Sequence, residues 1–167
     1  MLVILEGADG SGKTTLAKQL RNKGYTVFKF ERGDNPSYKT MLKFALDKEV
    51  YVLDRMFVTS WVYRILDGQA LDNVDFRWDD MFTLLKISKF VYCKTEKQFE
   101  RSMERGEDNI TSVEKANKLK SIYEFVFATI KLYNMSTVMT YDWTKDDIRK
   151  IYKFIEKEVV WTKNNMS

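Results

Sequence analysis

The stretch Gly7-Ala8-Asp9-Gly10-Ser11-Gly12-Lys13-Thr14 limits what this chain can become more than any other. It fits G-x-x-x-x-G-K-[ST], follows the apolar run "LVILE" (2–6) and precedes a helical pattern. Glycines let such a loop turn its backbone N–H groups inward onto phosphate oxygens. The helix that follows adds the positive end of its dipole. Gly7, Gly10, Ser11, Gly12, Lys13, Thr14 and Thr15 are therefore the expected contacts to ATP, with Lys13 on the β- and γ-phosphates and the Thr14 hydroxyl offered to Mg²⁺. The loop implies a nucleotide and leaves the reaction open. Asp9 is out of character in it, a carboxylate among groups meant for anions.

Around the loop the pattern alternates strand and helix. Strands are expected at Leu2–Glu6, Tyr25–Phe30, Val50–Asp54, Lys89–Cys93 and Thr137–Tyr141. Helices are expected at Lys13–Lys23, from Pro36 to Leu46, at Phe57–Leu66, Phe76–Leu85 and Thr95–Glu104, and from the capping sequence "TSVE" (111–114) to about Tyr133. "TKDD" (144–147) is expected to cap a last helix that carries Ile148, Ile151, Tyr152 and Ile155. This predicts a single α/β domain over 1–167, a five-stranded parallel sheet covered by helices on both faces, the P-loop NTPase arrangement. Ligands in such sheets bind beyond the carboxyl ends of the strands. The phosphate loop, the segment at Arg32 and Asp54-Arg55 all follow strand ends and converge there.

Composition excludes several alternatives. There is no histidine, so imidazole bases, Ser–His–Asp triads and histidine metal ligands are excluded. The one cysteine, Cys93, permits no internal disulfide and reads as a core thiol. With no leader-like segment and no long apolar run, the expectation is a cytoplasmic protein without a membrane partner. A net charge of +4 suits small anionic substrates. No dense Lys/Arg stripe marks a nucleic-acid surface. Asn-Lys-x-Asp, which a GTPase would use to read its base, is absent.

"YVLDRMFVTSWVYR" (51–64) narrows the reaction. Asp54, at a strand end, can hold the hydration shell of Mg²⁺. Arg55, at the crevice mouth, can take a phosphate with its planar fork. Here the chain resembles the thymidylate kinase family of nucleoside monophosphate kinases. Glu6–Thr14 matches that family's E-G-x-D/E-G-x-G-K-T. Asp54, Arg55, Thr59, Ser60, Val62 and Tyr63 align with its second motif, and "FERSMERGED" (99–108) resembles the helix entering its lid. The lid itself is expected at about 105–111, with Gly106 as a hinge.

The resemblance implies roles. Asp9 would face the acceptor sugar. Arg55 and Arg32 would hold the acceptor phosphate, Thr59 would lie at the substrate, and Tyr63 would pack at C2′ and favour deoxynucleotides. Arg101 and Arg105 would supply transition-state charge. A homodimer built on the 54–66 helix and its neighbours is also implied. Met56 stands where the family has an aromatic, Arg64 where it has Gln, and Asn109 where it often has Arg. Only the short stretch from Gly33 to Leu53 separates "FER" from Asp54, so the family's base-reading segment is missing. Phe57 and Arg64 are substitute candidates for base contact. Such compactness suggests a virus or phage enzyme.

The expected activity is transfer of the ATP γ-phosphoryl to a deoxynucleoside 5′-monophosphate. Two rivals are a kinase for nucleosides or polynucleotide 5′-ends, and a nucleotide-binding protein without turnover.

Overall fold

The computed structural model describes residues 1–30, 36–69, 78–104, 112–133 and 137–157. Five parallel strands lie in the order β2-β3-β1-β4-β5, comprising β1 (Leu2–Glu6), β2 (Thr26–Lys29), β3 (Tyr51–Asp54), β4 (Lys89–Cys93) and β5 (Val138–Tyr141). The first strand is therefore central. Pairing of β1 with β3 sets Leu5 beside Asp54, and pairing with β4 sets Glu6 beside Tyr92.

The alternation of side chains along β1 builds two cores. Leu2 and Ile4 join the layer beneath α2 (Tyr38–Leu46), α3 (Phe57–Leu66), α4 (Trp78–Ile87) and α6 (Val113–Tyr133). Val3 and Leu5 join Leu16, Ala17 and Leu20 of α1 (Lys13–Asn22) and Ile151 and Ile155 of α7 (Arg149–Glu156) on the other face. Both faces of β1 are covered, which is why it reads as an unbroken apolar run. The short helix α5 (Gln98–Glu104) follows β4.

Helix starts depart from expectation where a neighbouring polar residue makes the better cap. Ser37, not Pro36, caps α2, its Oγ accepting from the Thr40 N–H. Ser112 caps α6 by accepting from the Lys115 N–H, while Thr111 lies outside the described residues. Thr144 does not cap α7. Its N–H and hydroxyl both donate to Asp142, closing a separate turn, and Asp147 accepts from the Arg149 N–H instead. Likewise α5 begins at Gln98, later than the pattern implied, while the expected start of α4 at Phe76 lies outside the described residues.

Most of α3 is spent inside the chain. Phe57, Val58, Thr59, Trp61, Val62, Tyr63 and Leu66 are buried, and the helix packs on α6. Among its residues only Ser60, Arg64 and Ile65 are partly exposed. No helix among the described residues is long and apolar enough to cross a membrane.

Candidate functional site

The phosphate loop leaves β1 and winds tightly between two neighbours. A Cβ at Gly7, whose φ is 145°, would sit 2.2 Å from the Cys93 carbonyl oxygen at the end of β4. At Gly12, with φ 92°, it would sit 2.5 Å from Cδ1 of Trp143, just beyond β5. Only glycine fits either position. Gly12 leads into α1, so the helix N-terminus faces the loop.

Lys13 is buried and folded back onto its own loop. Its ammonium donates to the carbonyls of Gly7 (2.5 Å) and Ala8 (2.8 Å) and to Ser11 Oγ (3.4 Å). Burial and the nearby Arg55 charge lower its pKa. Phosphate oxygens would be stronger partners than these neutral carbonyls. Thr14 and Thr15 are exposed on the first turn of α1.

Asp9 has taken two partners. One oxygen accepts from the Arg55 guanidinium; the other accepts from the Tyr63 hydroxyl at 2.9 Å. It is 4% exposed, Arg55 28%. Burial pushes the Asp9 carboxyl up, but the Arg55 and Lys13 charges and both hydrogen bonds outweigh it and hold its pKa below the usual value. Asp9 thus stays ionised, and the anion in the loop is neutralised by the cation of the crevice. Arg55 itself has φ 77° (left-handed), an uncommon setting for a side-chain-bearing residue. Asp54, buried at the end of β3, lies within the electrostatic reach of Lys13.

Thr59, expected at the substrate, is buried and has its hydroxyl engaged by Glu6, donating to Oε2 at 2.5 Å. Phe57 is removed from a base-reading role, because it packs in the core against Trp61 and Phe90. Arg101 stacks on the Trp143 ring, with its guanidinium carbon 3.7 Å from the centroid. Arg32, Arg105 and the 105–111 lid segment lie outside the described residues. Cys93 is buried, and burial pushes its thiol up to about 12, which fits an inert core residue.

Two participants escaped sequence reasoning. Trp143 reaches the loop only because β5 is the strand beyond β4. Glu6 carried a legible signal, a carboxylate ending an otherwise apolar strand, whose partners lie 50 and 53 residues onward.

For a divalent cation, the site brings the exposed Thr14 hydroxyl and the Asp54 carboxylate. Among the described residues no group of three or more His, Cys, Asp or Glu could hold a metal. That donor set fits Mg²⁺, which keeps most of its waters and leans on substrate phosphates with one or two protein oxygens.

Solved structures share this fold. YorR protein from Bacillus subtilis, in complex with phosphorylated GDP, superposes with a TM-score of 0.64 at 20% identity, over 92% of each chain. Deoxyadenosine kinase from M. mycoides with bound dCTP gives 0.61 at 22% identity, over 92% of this chain and 97% of that one. The fold is that of the P-loop kinases. Thymidylate kinase from Candida albicans shares this kinase fold at a TM-score of 0.54 and 16% identity, over 93% of this chain and 90% of its own. No family model and no curated protein sequence matches the chain.

Proposed function

We propose that the chain transfers the γ-phosphoryl group of ATP to a deoxynucleoside 5′-monophosphate, dTMP or a broader set of dNMPs. The observation that carries this reading is Asp9, which sits in the phosphate loop yet is joined to Arg55 and Tyr63. A carboxylate, a guanidinium and a phenol together suit a sugar hydroxyl, a phosphate and a sugar face. They stand beside Lys13, so donor and acceptor would meet across one loop.

In this reading Lys13 and the loop N–H groups bind the donor phosphates. Thr14 and Asp54 would hold Mg²⁺, which when bound supplies charge to the β- and γ-phosphates. Arg55 would turn from Asp9 to the acceptor phosphate, releasing Asp9 to the sugar. An acceptor phosphate is already an anion, so the step needs alignment and charge neutralisation rather than a strong base. Arg101 and Arg105 remain the proposed sources of transition-state charge. The cation–π stack that holds Arg101 is worth only about 0.5–2 kcal/mol, so a phosphate could draw it away.

A nucleoside kinase is the second reading. The likeness to deoxyadenosine kinase favours it, as does Asp9, an ionised carboxylate able to take a hydroxyl proton. One panel decides between them: ADP formation from ATP and Mg²⁺ with each dNMP, each nucleoside and 5′-hydroxyl DNA. Transfer to a dNMP is expected. Activity confined to nucleosides or DNA ends would overturn the main reading, and ATP binding with no transfer at all would make the chain a nucleotide-binding protein without turnover.

A further inference from the structure

Glu6 is completely buried, with 0% of its surface exposed. A carboxylate in that position is kept only with full hydrogen bonding. Its partners all belong to the start of α3. Oε1 accepts from the N–H of Met56 at 2.9 Å and of Thr59 at 3.3 Å, and Oε2 accepts from the Thr59 hydroxyl. The Met56 N–H is one that the helix cannot satisfy itself, whereas that of Thr59 is shared with the Met56 carbonyl at 3.1 Å. The residue at the cap position, Met56, has no side-chain acceptor to offer.

The contacts form a two-point grip. The Arg55 N–H donates to the Leu5 carbonyl at 3.0 Å, and the next N–H, that of Met56, donates to the Glu6 side chain. Two consecutive residues of β1 thereby hold two consecutive residues of the turn. The gripped turn is the one in which Arg55 adopts its left-handed backbone, a conformation that persists only where its surroundings enforce it. The grip continues outward. Thr59 gives its single hydroxyl proton to Glu6, so the Tyr123 hydroxyl of α6, at 3.2 Å, must donate to Thr59.

We propose that Glu6 is a positioning residue: it ties the end of β1, from which the phosphate loop leaves, to the Arg55 turn and so sets where the acceptor-phosphate arginine stands relative to Lys13. The inference rests on the phosphotransfer reading above for its kinetic form, though the grip itself does not.

The grip is also placed to respond to protonation. Burial pushes the Glu6 carboxyl up to about 7, against the opposing effects of Thr59, Lys13 and the Met56 N–H. The titratable and charged groups that face it are Lys13 of the loop, Tyr123 of α6, and Cys93 and its strand neighbour Tyr92 of β4. A protonated Glu6 is a weaker acceptor for both N–H groups.

The test is Glu6→Gln, which keeps the shape and one acceptor oxygen but not the charge, assayed with ATP, Mg²⁺ and the best dNMP of the panel. Expected is a rise of about tenfold in the dNMP KM, with the ATP KM within about twofold of wild type. The acceptor phosphate titrates in both proteins, so the diagnostic is the difference between their pH profiles. The wild-type dNMP KM should gain a dependence between about pH 6 and about pH 8 that the variant lacks. Equal changes in both KM values, unchanged KM values or superimposable pH profiles would overturn the proposal. Thr59→Val, which removes one hydrogen bond at constant shape, should give the same split in weaker form and serves if Glu6→Gln does not fold. If wild type phosphorylates no dNMP, the functional reading falls. The grip is then decided by amide exchange of Arg55 and Met56, expected to speed up at least about tenfold in Glu6→Gln; equal protection would overturn it.

Discussion

At Arg55 a left-handed backbone and an ion pair coincide, and removing the side chain separates what each does. Arg55→Ala should lower kcat/KM for the dNMP by about 10²–10³ while ATP affinity, read by calorimetry, stays within about twofold. Unchanged turnover would refute its place at the acceptor phosphate. Glu6 makes a different kind of prediction. Its folded pKa of about 7 stands above the ordinary glutamate value of 4.5, so the folded protein holds this proton more tightly than the unfolded chain does. Stability contributed by the neutral carboxyl is complete below about pH 4.5 and is lost as the pH rises through about 7. The charge therefore costs about 3 kcal/mol above that pH. Glu6→Gln should melt higher than wild type at about pH 8 and alike at about pH 4, by calorimetry. A more stable but less competent variant would mark a charge retained for placement rather than for folding.

At the scale of elements, the strand ends place the chemistry and the helices hold it there. Gly12→Ala would force a Cβ into Trp143 on a backbone unsuited to alanine. ATP affinity is expected to fall at least about tenfold, and an unchanged dissociation constant would exclude this loop as the donor cradle. Lys89 offers the opposite control. It opens β4, and its ammonium donates to the carbonyls of Phe154, Ile155 and Lys157, closing the C-terminal end of α7. Lys89→Met should cost about 1–3 kcal/mol of stability in denaturant titrations while kcat and KM stay unchanged.

These elements also show what the sequence could disclose. Strands and the phosphate loop were legible because each depends on a local run: apolar residues closed by glycine, or a fixed spacing of Gly, Lys and Thr. Asp54-Arg55 was legible as the end of such a run. The start of α7 was not, because Asp142, Asp146 and Asp147 each accept from a different backbone N–H, those of Thr144, Asp142 and Arg149, and the spacing alone does not say which of these polar residues closes a turn and which opens the helix. Thr59 aligned with a substrate motif, yet its hydroxyl is turned to Glu6, a partner set by the pairing of β1 with β3. Trp143 and Gly12 likewise meet only through the order of strands.

At the scale of the whole molecule, ligand and fold should be coupled. ATP with Mg²⁺ at about a hundred times its dissociation constant should stabilise the chain by about 2.7 kcal/mol. That raises the melting temperature by roughly 5–10 °C for a chain of this size, in a concentration-dependent way that scanning fluorimetry can follow. No shift with ATP and Mg²⁺ would count against the donor site.

The central position of β1 has a consequence in time. Its two neighbours are β3 and β4, each separated from it by intervening helices. A ribosome delivers β1 first, but Leu2–Glu6 cannot pair on both edges until Lys89–Cys93 has emerged. Such distant pairings slow the search for the native state. The apolar run stays unsheltered through that interval, and the loop attached to it can close only once β4 has been made.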